Sequence, residues 1–159
     1  MTNKSPILFA TDGSPSAGEA QSRAIELAHA LGAPLVIVSV AHATLPAVGY
    51  TASGCSNVIA ELTEAEHKRV KELLTSIAET AEAEGVSCAT VSADGLPVEE
   101  ICRRASDYDA QLIVVGSHGW GATRRLLSGS VSTGLVHSAP CPVLVVRPRA
   151  EAREHAAAA

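Results

Sequence analysis

Five short apolar runs, separated by segments with helical periodicity, are the feature that most constrains the fold of this 159-residue chain. The runs are PILFA at 6–10, PLVIVSV at 34–40, VSCATVSA at 86–93, LIVV at 112–115 and PVLVV at 142–146. Strands that are apolar along most of their length are typical of a parallel sheet that is covered on both faces. Because a helical segment separates each strand from the next, the pattern predicts βαβ units and an α/β fold.

The first helix is predicted over 16–31, and two starts fit its sequence. Ser14 suits an N-cap before Pro15 at the first helical position, whereas Ser16 begins a capping-box pattern two residues later. Either start leaves Asp12 on the loop that follows strand one. The loop TDGS is therefore predicted to lie at the carboxyl end of that strand.

The second helix is predicted over about 61–84, with Leu62 and Val70 on its inner face. The segment before it, 41–59, is rich in small residues without a clear period and is interpreted as a mobile connection. A short helix follows the DGLP sequence after strand three, and a last helix is predicted to begin near Ser130.

Right-handed crossovers restrict how such strands can be arranged, and we take the doubly wound, Rossmann-like order 3-2-1-4-5 as an assumption. This order places strand one beside strand four, so their carboxyl ends meet at one crevice. Ligands of open α/β sheets bind at this switch point. The TDGS loop and the stretch 116–132 are then expected to face each other.

Composition and charge exclude several classes of function. The net charge is −5, and no basic cluster exceeds an arginine pair, so we expect no nucleic-acid binding. No apolar run approaches the length of a membrane span, and the amino terminus lacks the pattern of a secretory signal. We therefore expect a cytoplasmic protein with no membrane association, built as one domain over 1–148 with a flexible tail over 149–159. Its four cysteines have no metal-site spacing and are predicted to be buried thiols.

The connection between strands four and five, GSHGWGATRRLLSGSVS at 116–132, is unusually rich in glycines and hydroxyls. Glycines let a phosphate approach backbone amides, and the start of a helix at Ser130 favours an anion. Together these features predict a phosphate cradle. Each residue also has an architectural interpretation, in which Gly116 turns the chain, Gly129 makes a bend and Ser130 caps the helix. The pattern is neither a P-loop nor a dinucleotide fingerprint.

The spacing Gly116-x-x-Gly119, nine further residues, then Gly129-Ser130 resembles the G-2x-G-9x-G-[S/T] motif of the universal stress protein (UspA-like) family, in its ATP-binding branch. The stretches ILFATDGSPSA and SAPCPVLVVRP are similar to the first strand with its Asp loop and to the closing strand of that family. The resemblance extends over about residues 5–148. It implies a sheet of five parallel strands, of the adenine nucleotide alpha hydrolase-like type, that binds ATP in the crevice.

The resemblance also implies the contacts of the nucleotide. Asp12 would lie near the ribose or a phosphate-bound Mg²⁺, with a structural role as a loop acceptor as the alternative. Val38 would line the adenine pocket and Val115 would border the nucleoside. The expected ribose and phosphate contacts are Gly116, Gly119, Gly129, Ser130, Val131 and Ser132.

The chain lacks the features of a metabolic enzyme, because no nucleophile–base pair is evident and the glycine loop contains no lysine. The predicted function is an ATP-responsive regulatory module of the stress response, with at most slow hydrolysis. The resemblance further implies a homodimer joined through strand five, Pro142 to Val146. The alternative function is a dimeric interaction protein of the same family that works without nucleotide.

Overall fold

The computed structural model describes residues 4–14, 17–41, 56–117 and 129–148. Strands and helices alternate through these residues, as the apolar runs predict. The elements, in chain order, are β1 (Ile7–Ala10), α1 (Ala17–Leu31), β2 (Leu35–Ala41), α2 (Ser56–Ala83), β3 (Cys88–Asp94), α3 (Pro97–Asp107), β4 (Leu112–Gly116), α4 (Ser130–Ser138) and β5 (Val143–Val146).

The five strands form one sheet in the order β3-β2-β1-β4-β5, and every pairing is parallel. The assumed order 3-2-1-4-5 is therefore confirmed. β1 lies at the centre, with Ala10 in register with Val38 of β2 on one side and with Val115 of β4 on the other. This register brings the carboxyl ends of three strands to one edge.

Alternate residues of each strand enter two different cores. Ile7 and Phe9 of β1 pack with α1 and α2 on one face, whereas Leu8 and Ala10 pack with α3 and α4 on the other. Both faces of the central strand are thus apolar, because each is covered by a helical layer. All four β1 side chains are buried.

The second helix differs from its prediction at its amino end. It begins at Ser56, and β2 extends to Ala41, so the connection predicted over 41–59 is wrong for 41 and for 56–59; the residues between, 42–55, lie outside the described residues. Extending an existing helix by one turn costs far less than nucleating one, so the weak helix formers at 56–59 can join it. Leu62, predicted on the inner face, is 64% exposed. A helix of 28 residues is about 42 Å long, more than the strands that it covers, so its first turns extend beyond the core.

The cysteines are less buried than predicted. Cys88, Cys102 and Cys141 are half-buried free thiols at the rims of the two cores, and Cys55 lies outside the described residues. The predicted tail, 149–159, lies outside them as well. Among the helices that the structure describes, none is both long enough and apolar enough to cross a membrane.

Candidate functional site

The candidate site lies at the carboxyl ends of β1 and β4, which are paired neighbours. The Thr11 amide donates to the carbonyl oxygen of Val38 (3.0 Å), which continues the sheet pairing one residue beyond β1. On the other strand, the Ser117 amide donates to the carbonyl oxygen of Val146 (2.8 Å). The Asp12 loop and the start of the glycine-rich connection therefore leave the sheet side by side, as predicted.

Two side chains stabilise the turn that follows β1. The Ser14 amide donates to Oδ1 of Asp12 (2.9 Å), and the Gly13 amide donates to Oγ1 of Thr11 (3.1 Å). Gly13 has a φ of +74°, a conformation that side chains other than glycine rarely adopt. The carbonyl oxygen of Ser14 then accepts a hydrogen bond from Ala17 (2.9 Å) at the start of α1. Asp12 therefore has the loop-acceptor role that was its alternative assignment.

Ser117 connects the two ends of the glycine-rich segment. Its carbonyl oxygen accepts a hydrogen bond from the Gly129 amide (2.8 Å), so the chain returns to the end of β4 before α4 begins. The side chain of Ser132 is 2% exposed, and its Oγ lies 3.0 Å from the carbonyl oxygen of Gly129 and 3.4 Å from that of Ser117. No sequence pattern singles out Ser117, because its contribution is made by its backbone.

The amino end of α4 faces the same edge of the sheet. Gly129 is its N-cap, with an extended backbone (φ −69°, ψ 153°), and within the described ranges no side chain forms a cap hydrogen bond there. The first amides of an α-helix lack intrahelical acceptors and carry the positive end of the helix dipole. Ser130 is exposed and Val131 is half-buried, so this end of the helix is open to solvent. The arrangement can receive an anion.

The two predicted nucleoside contacts are buried in the core. Val38 is 0% exposed and Val115 is 7% exposed, and both pack in the cluster beneath α3 and α4. A side chain packed in this way offers a ligand little or no surface. Gly116, by contrast, is half-buried at the end of β4.

A charged pair on α2 also approaches the site, and sequence analysis missed it. Arg69 donates twice to Glu66, from Nε to Oε2 (2.9 Å) and from Nη2 to Oε1 (2.7 Å). Its Nη1 lies 3.4 Å from the position that a Cβ would take on Gly13. The pKa of Arg69 is raised, first by its hydrogen bond to Glu66 and, to a smaller extent, by the charges of Glu66 and Asp12. The Glu-x-x-Arg spacing on a helix is a visible signal for the pair, but not for its proximity to Asp12.

The residues described do not form a resident metal site. No group of three or more His, Cys, Asp or Glu side chains suited to a metal ion occurs among them. Mg²⁺ in nucleotide sites is commonly held by one or two carboxylates together with phosphate oxygens and water. The single carboxylate of Asp12 therefore fits a magnesium ion that arrives with a nucleotide, not one bound by protein groups alone.

The centre of the glycine-rich segment, 118–128, lies outside the described residues. The predicted contact Gly119 is in this part of the chain. The structure thus brings together the predicted residues Asp12, Gly116, Gly129, Ser130, Val131 and Ser132 at one edge of the sheet.

Comparisons with known proteins identify a family. Residues 4–147 match the model of the universal stress protein family. A universal stress protein of Methanocaldococcus jannaschii is 36% identical over 141 residues, which are 89% of this chain and 81% of that protein. The family match spans all five strands and the candidate site.

Solved structures share the fold. The universal stress protein UspA from Lactobacillus plantarum superposes with a TM-score of 0.80 at 26% identity, over 92% of this chain and all of that one (100%). A universal stress protein solved in complex with cAMP superposes with a TM-score of 0.68 at 25% identity, over 92% of this chain and 99% of that one. Both comparisons agree with the observed sheet of five parallel strands.

Proposed function

Because the chain belongs to the universal stress protein family, we propose that it is a cytoplasmic regulatory module of the stress response that binds ATP with Mg²⁺. The observation that carries the proposal is the return of the chain from Gly129 to Ser117 (2.8 Å). This hydrogen bond holds the open end of α4 beside the carboxyl ends of β1 and β4. The relative solved with cAMP supports an adenine nucleotide as the ligand.

The phosphates would bind at the start of α4. The backbone amides of Ser130 and Val131 and the hydroxyl of Ser130 are donors there, and the helix dipole favours the negative charge. Gly116, Gly119 and Gly129 would let the phosphates and ribose approach the backbone without a Cβ in the way. Ser132, whose hydroxyl already donates to a backbone carbonyl, would contribute through its amide or by exchanging that hydrogen bond.

The other end of the nucleotide would lie toward β1 and β2. Asp12 would accept a ribose hydroxyl or ligate the Mg²⁺ that the phosphates carry, and its bond to the Ser14 amide (2.9 Å) holds the carboxylate in place. Val38 and Val115 would border the nucleoside mainly through their backbone, because their side chains are buried. Bound Mg²⁺ would neutralise part of the phosphate charge.

Regulation, and not metabolic catalysis, is the outcome that we propose for binding. ATP would protect the 42–55 or the 118–128 segment from exchange and so change the surface presented to a partner. Hydrogen exchange in the presence and absence of ATP measures this effect directly. Equal protection of both segments in the two states would rule it out.

We also propose that the protein is a homodimer joined through β5. This strand is at one edge of the sheet, and all four of its side chains, Val143 to Val146, are only half-buried. An apolar edge strand of this kind is a template for pairing with a second chain. Light scattering should report twice the chain mass of 16.3 kDa at micromolar concentration, and the chain mass itself would reject the dimer.

A second candidate is a dimeric interaction protein that uses no nucleotide. The complete burial of Val38 and the internal hydrogen bonds of Ser132 favour it, because these residues already have partners within the protein. Under this alternative the glycines and the Asp12 turn are purely architectural. Titration calorimetry of nucleotide-stripped protein with MgATP and MgAMP separates the two candidates.

A pair of variants at Ser130 tests where the phosphates bind. Ser130→Pro removes one backbone donor at the first helical position, where proline is well tolerated. The extended conformation of Gly129 already suits a residue that precedes proline. Ser130→Ala is the matched control, since it removes the hydroxyl and keeps the amide. We expect Ser130→Pro to weaken MgATP binding about tenfold or more, from the loss of a charge-assisted hydrogen bond. Wild-type affinity in Ser130→Pro would contradict the proposed phosphate position.

A further inference from the structure

We propose that Arg69 on α2 is a positioning residue of the nucleotide site, which holds the Asp12–Gly13 turn and offsets the Asp12 charge so that the site prefers nucleotides with more phosphates. The inference rests on the proposed function and names a determinant of its ligand preference. It assigns a role to α2, a helix that contributes none of the residues predicted from the sequence motif.

The geometry of Arg69 is set by a rigid pairing. Its two hydrogen bonds to Glu66 (2.9 and 2.7 Å) form a fork that fixes the plane of the guanidinium group. This fork leaves Nη1 as the nitrogen nearest the Asp12–Gly13 turn, 3.4 Å from the Cβ position of Gly13. The cation is therefore held beside the turn, on the side of Gly13 where a Cβ would lie.

Packing keeps α2 at this distance. Val70 and Leu74 are buried in the core beneath the helix, on either side of Leu73 in sequence. Leu73 itself lies beside the turn, with its Cδ2 2.9 Å from the position that a Cβ would take on Gly13. Arg69 and Leu73, one helical turn apart, therefore both lie on the side of Gly13 where a Cβ would be, and occupy the space that the glycine leaves open.

The charge of Arg69 has a consequence for an anionic ligand. A carboxylate at Asp12 repels phosphates that bind near it, and like charges in a partly buried site interact more strongly than they do in water. Nη1 of Arg69 lies 3.4 Å from the Cβ position of Gly13, the residue next to Asp12, and the Asp12 charge makes the smallest contribution to the raised pKa of Arg69. Removing this cation leaves the negative charges of both Glu66 and Asp12 without it. The resulting loss of affinity should increase with the negative charge of the ligand.

The test is the affinity of adenosine, AMP and ATP for Arg69→Gln, measured by calorimetry in EDTA. Near pH 8 the ligand charge then increases from zero to about −2 and about −4. Arg23→Gln is the matched control, because Arg23 pairs with Glu26 on α1 with the same spacing and the same change in net charge. We expect Arg69→Gln to bind ATP about tenfold and AMP about threefold more weakly, with adenosine and all Arg23→Gln affinities unchanged.

Arg69→Lys separates charge from geometry. It keeps the cation and loses the two-bond pairing with Glu66, so it should recover part of the ATP affinity. The dependence of its ATP affinity on salt concentration should also be closer to that of the wild type. Equal losses for adenosine and ATP in Arg69→Gln would assign the residue to packing alone and overturn the proposal. Unchanged ATP affinity would overturn it too.

A measurement without ligand distinguishes this inference from the proposed function. If the wild-type protein binds neither MgATP nor any nucleotide of the series, the proposed function is wrong, and the preference assigned to Arg69 is wrong with it. The positioning role is then decided by hydrogen exchange of the Ser14 amide, which is bonded to Asp12. Faster exchange in Arg69→Gln, but not in Arg23→Gln, supports that role, and unchanged exchange refutes it.

Discussion

Replacing Gly13 by alanine should destabilise the protein through two separate effects at the candidate site. The first is conformational, because a φ of +74° lies in the left-handed region, which costs a residue with a Cβ about 1–2 kcal/mol. The second is steric, because the new Cβ would lie 2.9 Å from Cδ2 of Leu73. Moving Leu73 off its rotamer costs about 0.5–1.5 kcal/mol. The expected total is about 1.5–3.5 kcal/mol.

Gly85 is the matched control for the conformational effect. Its φ is +76°, and among the residues that the structure describes no atom lies within 4 Å of the Cβ position apart from its own neighbours in the chain. Gly85→Ala should therefore cost about 1–2 kcal/mol, the backbone contribution alone. The difference between the two variants isolates the contact with α2.

Urea unfolding at a single temperature is the appropriate assay. Both variants should keep the slope of the free energy of unfolding against denaturant, because the surface exposed on unfolding is unchanged. Gly13→Ala should have the lower midpoint. For a chain of this size, each 1 kcal/mol corresponds to about 2–4 °C in the melting temperature, so a thermal scan provides a second estimate. Equal destabilisation by the two substitutions would refute the inferred packing of Leu73 on the turn.

Other predictions concern helix packing, buried hydroxyls and a thiol. Gly134→Ala should lower the free energy of unfolding, measured in urea, by about 1–3 kcal/mol, because the new Cβ would lie 2.7 Å from Cγ2 of Val98. This loss should exceed the gain from the better helix propensity of alanine. The added substitution Val98→Ala should offset part of the steric loss, and strictly additive effects would contradict the close contact. Ser39→Ala should change the free energy of unfolding by less than about 0.5 kcal/mol, because the buried Oγ has no hydrogen-bond partner in the described part of the chain. Ser132→Ala, in contrast, removes a hydroxyl that donates to a backbone carbonyl and should lower the free energy of unfolding by about 1 kcal/mol. Folding raises the pKa of Cys141, mainly by burial. The contribution of this thiol to stability is therefore full below about pH 8.5 and declines as the pH rises further. The free energy of unfolding of Cys141→Ala, measured from pH 8 to 10, should fall less steeply than that of the wild type.

The strands and their layers could be predicted from sequence because the signals are local. Continuous apolar runs separated by helical periods leave few alternatives to a covered parallel sheet. Strand order was an assumption, since period and propensity carry no information on which strands are neighbours. The start of α2 and the exposure of Leu62 were predicted wrongly, because the extent of a helix beyond the core depends on what it covers.

In the candidate site, too, the local features were predictable from sequence and the contacts between distant segments were not. The Asp12 turn and the Gly129–Ser130 start of α4 are properties of short segments, and the structure has the turn after β1 and the helix start at Ser130, as the sequence predicts. The burial of Val38 and the proximity of Arg69 to the Asp12–Gly13 turn were decided only by tertiary structure. A local pattern specifies backbone conformation and amphipathic faces. Contacts between distant segments depend instead on how the helices pack on the sheet, and the spacing of residues along the chain does not encode the distance between a helix and a loop.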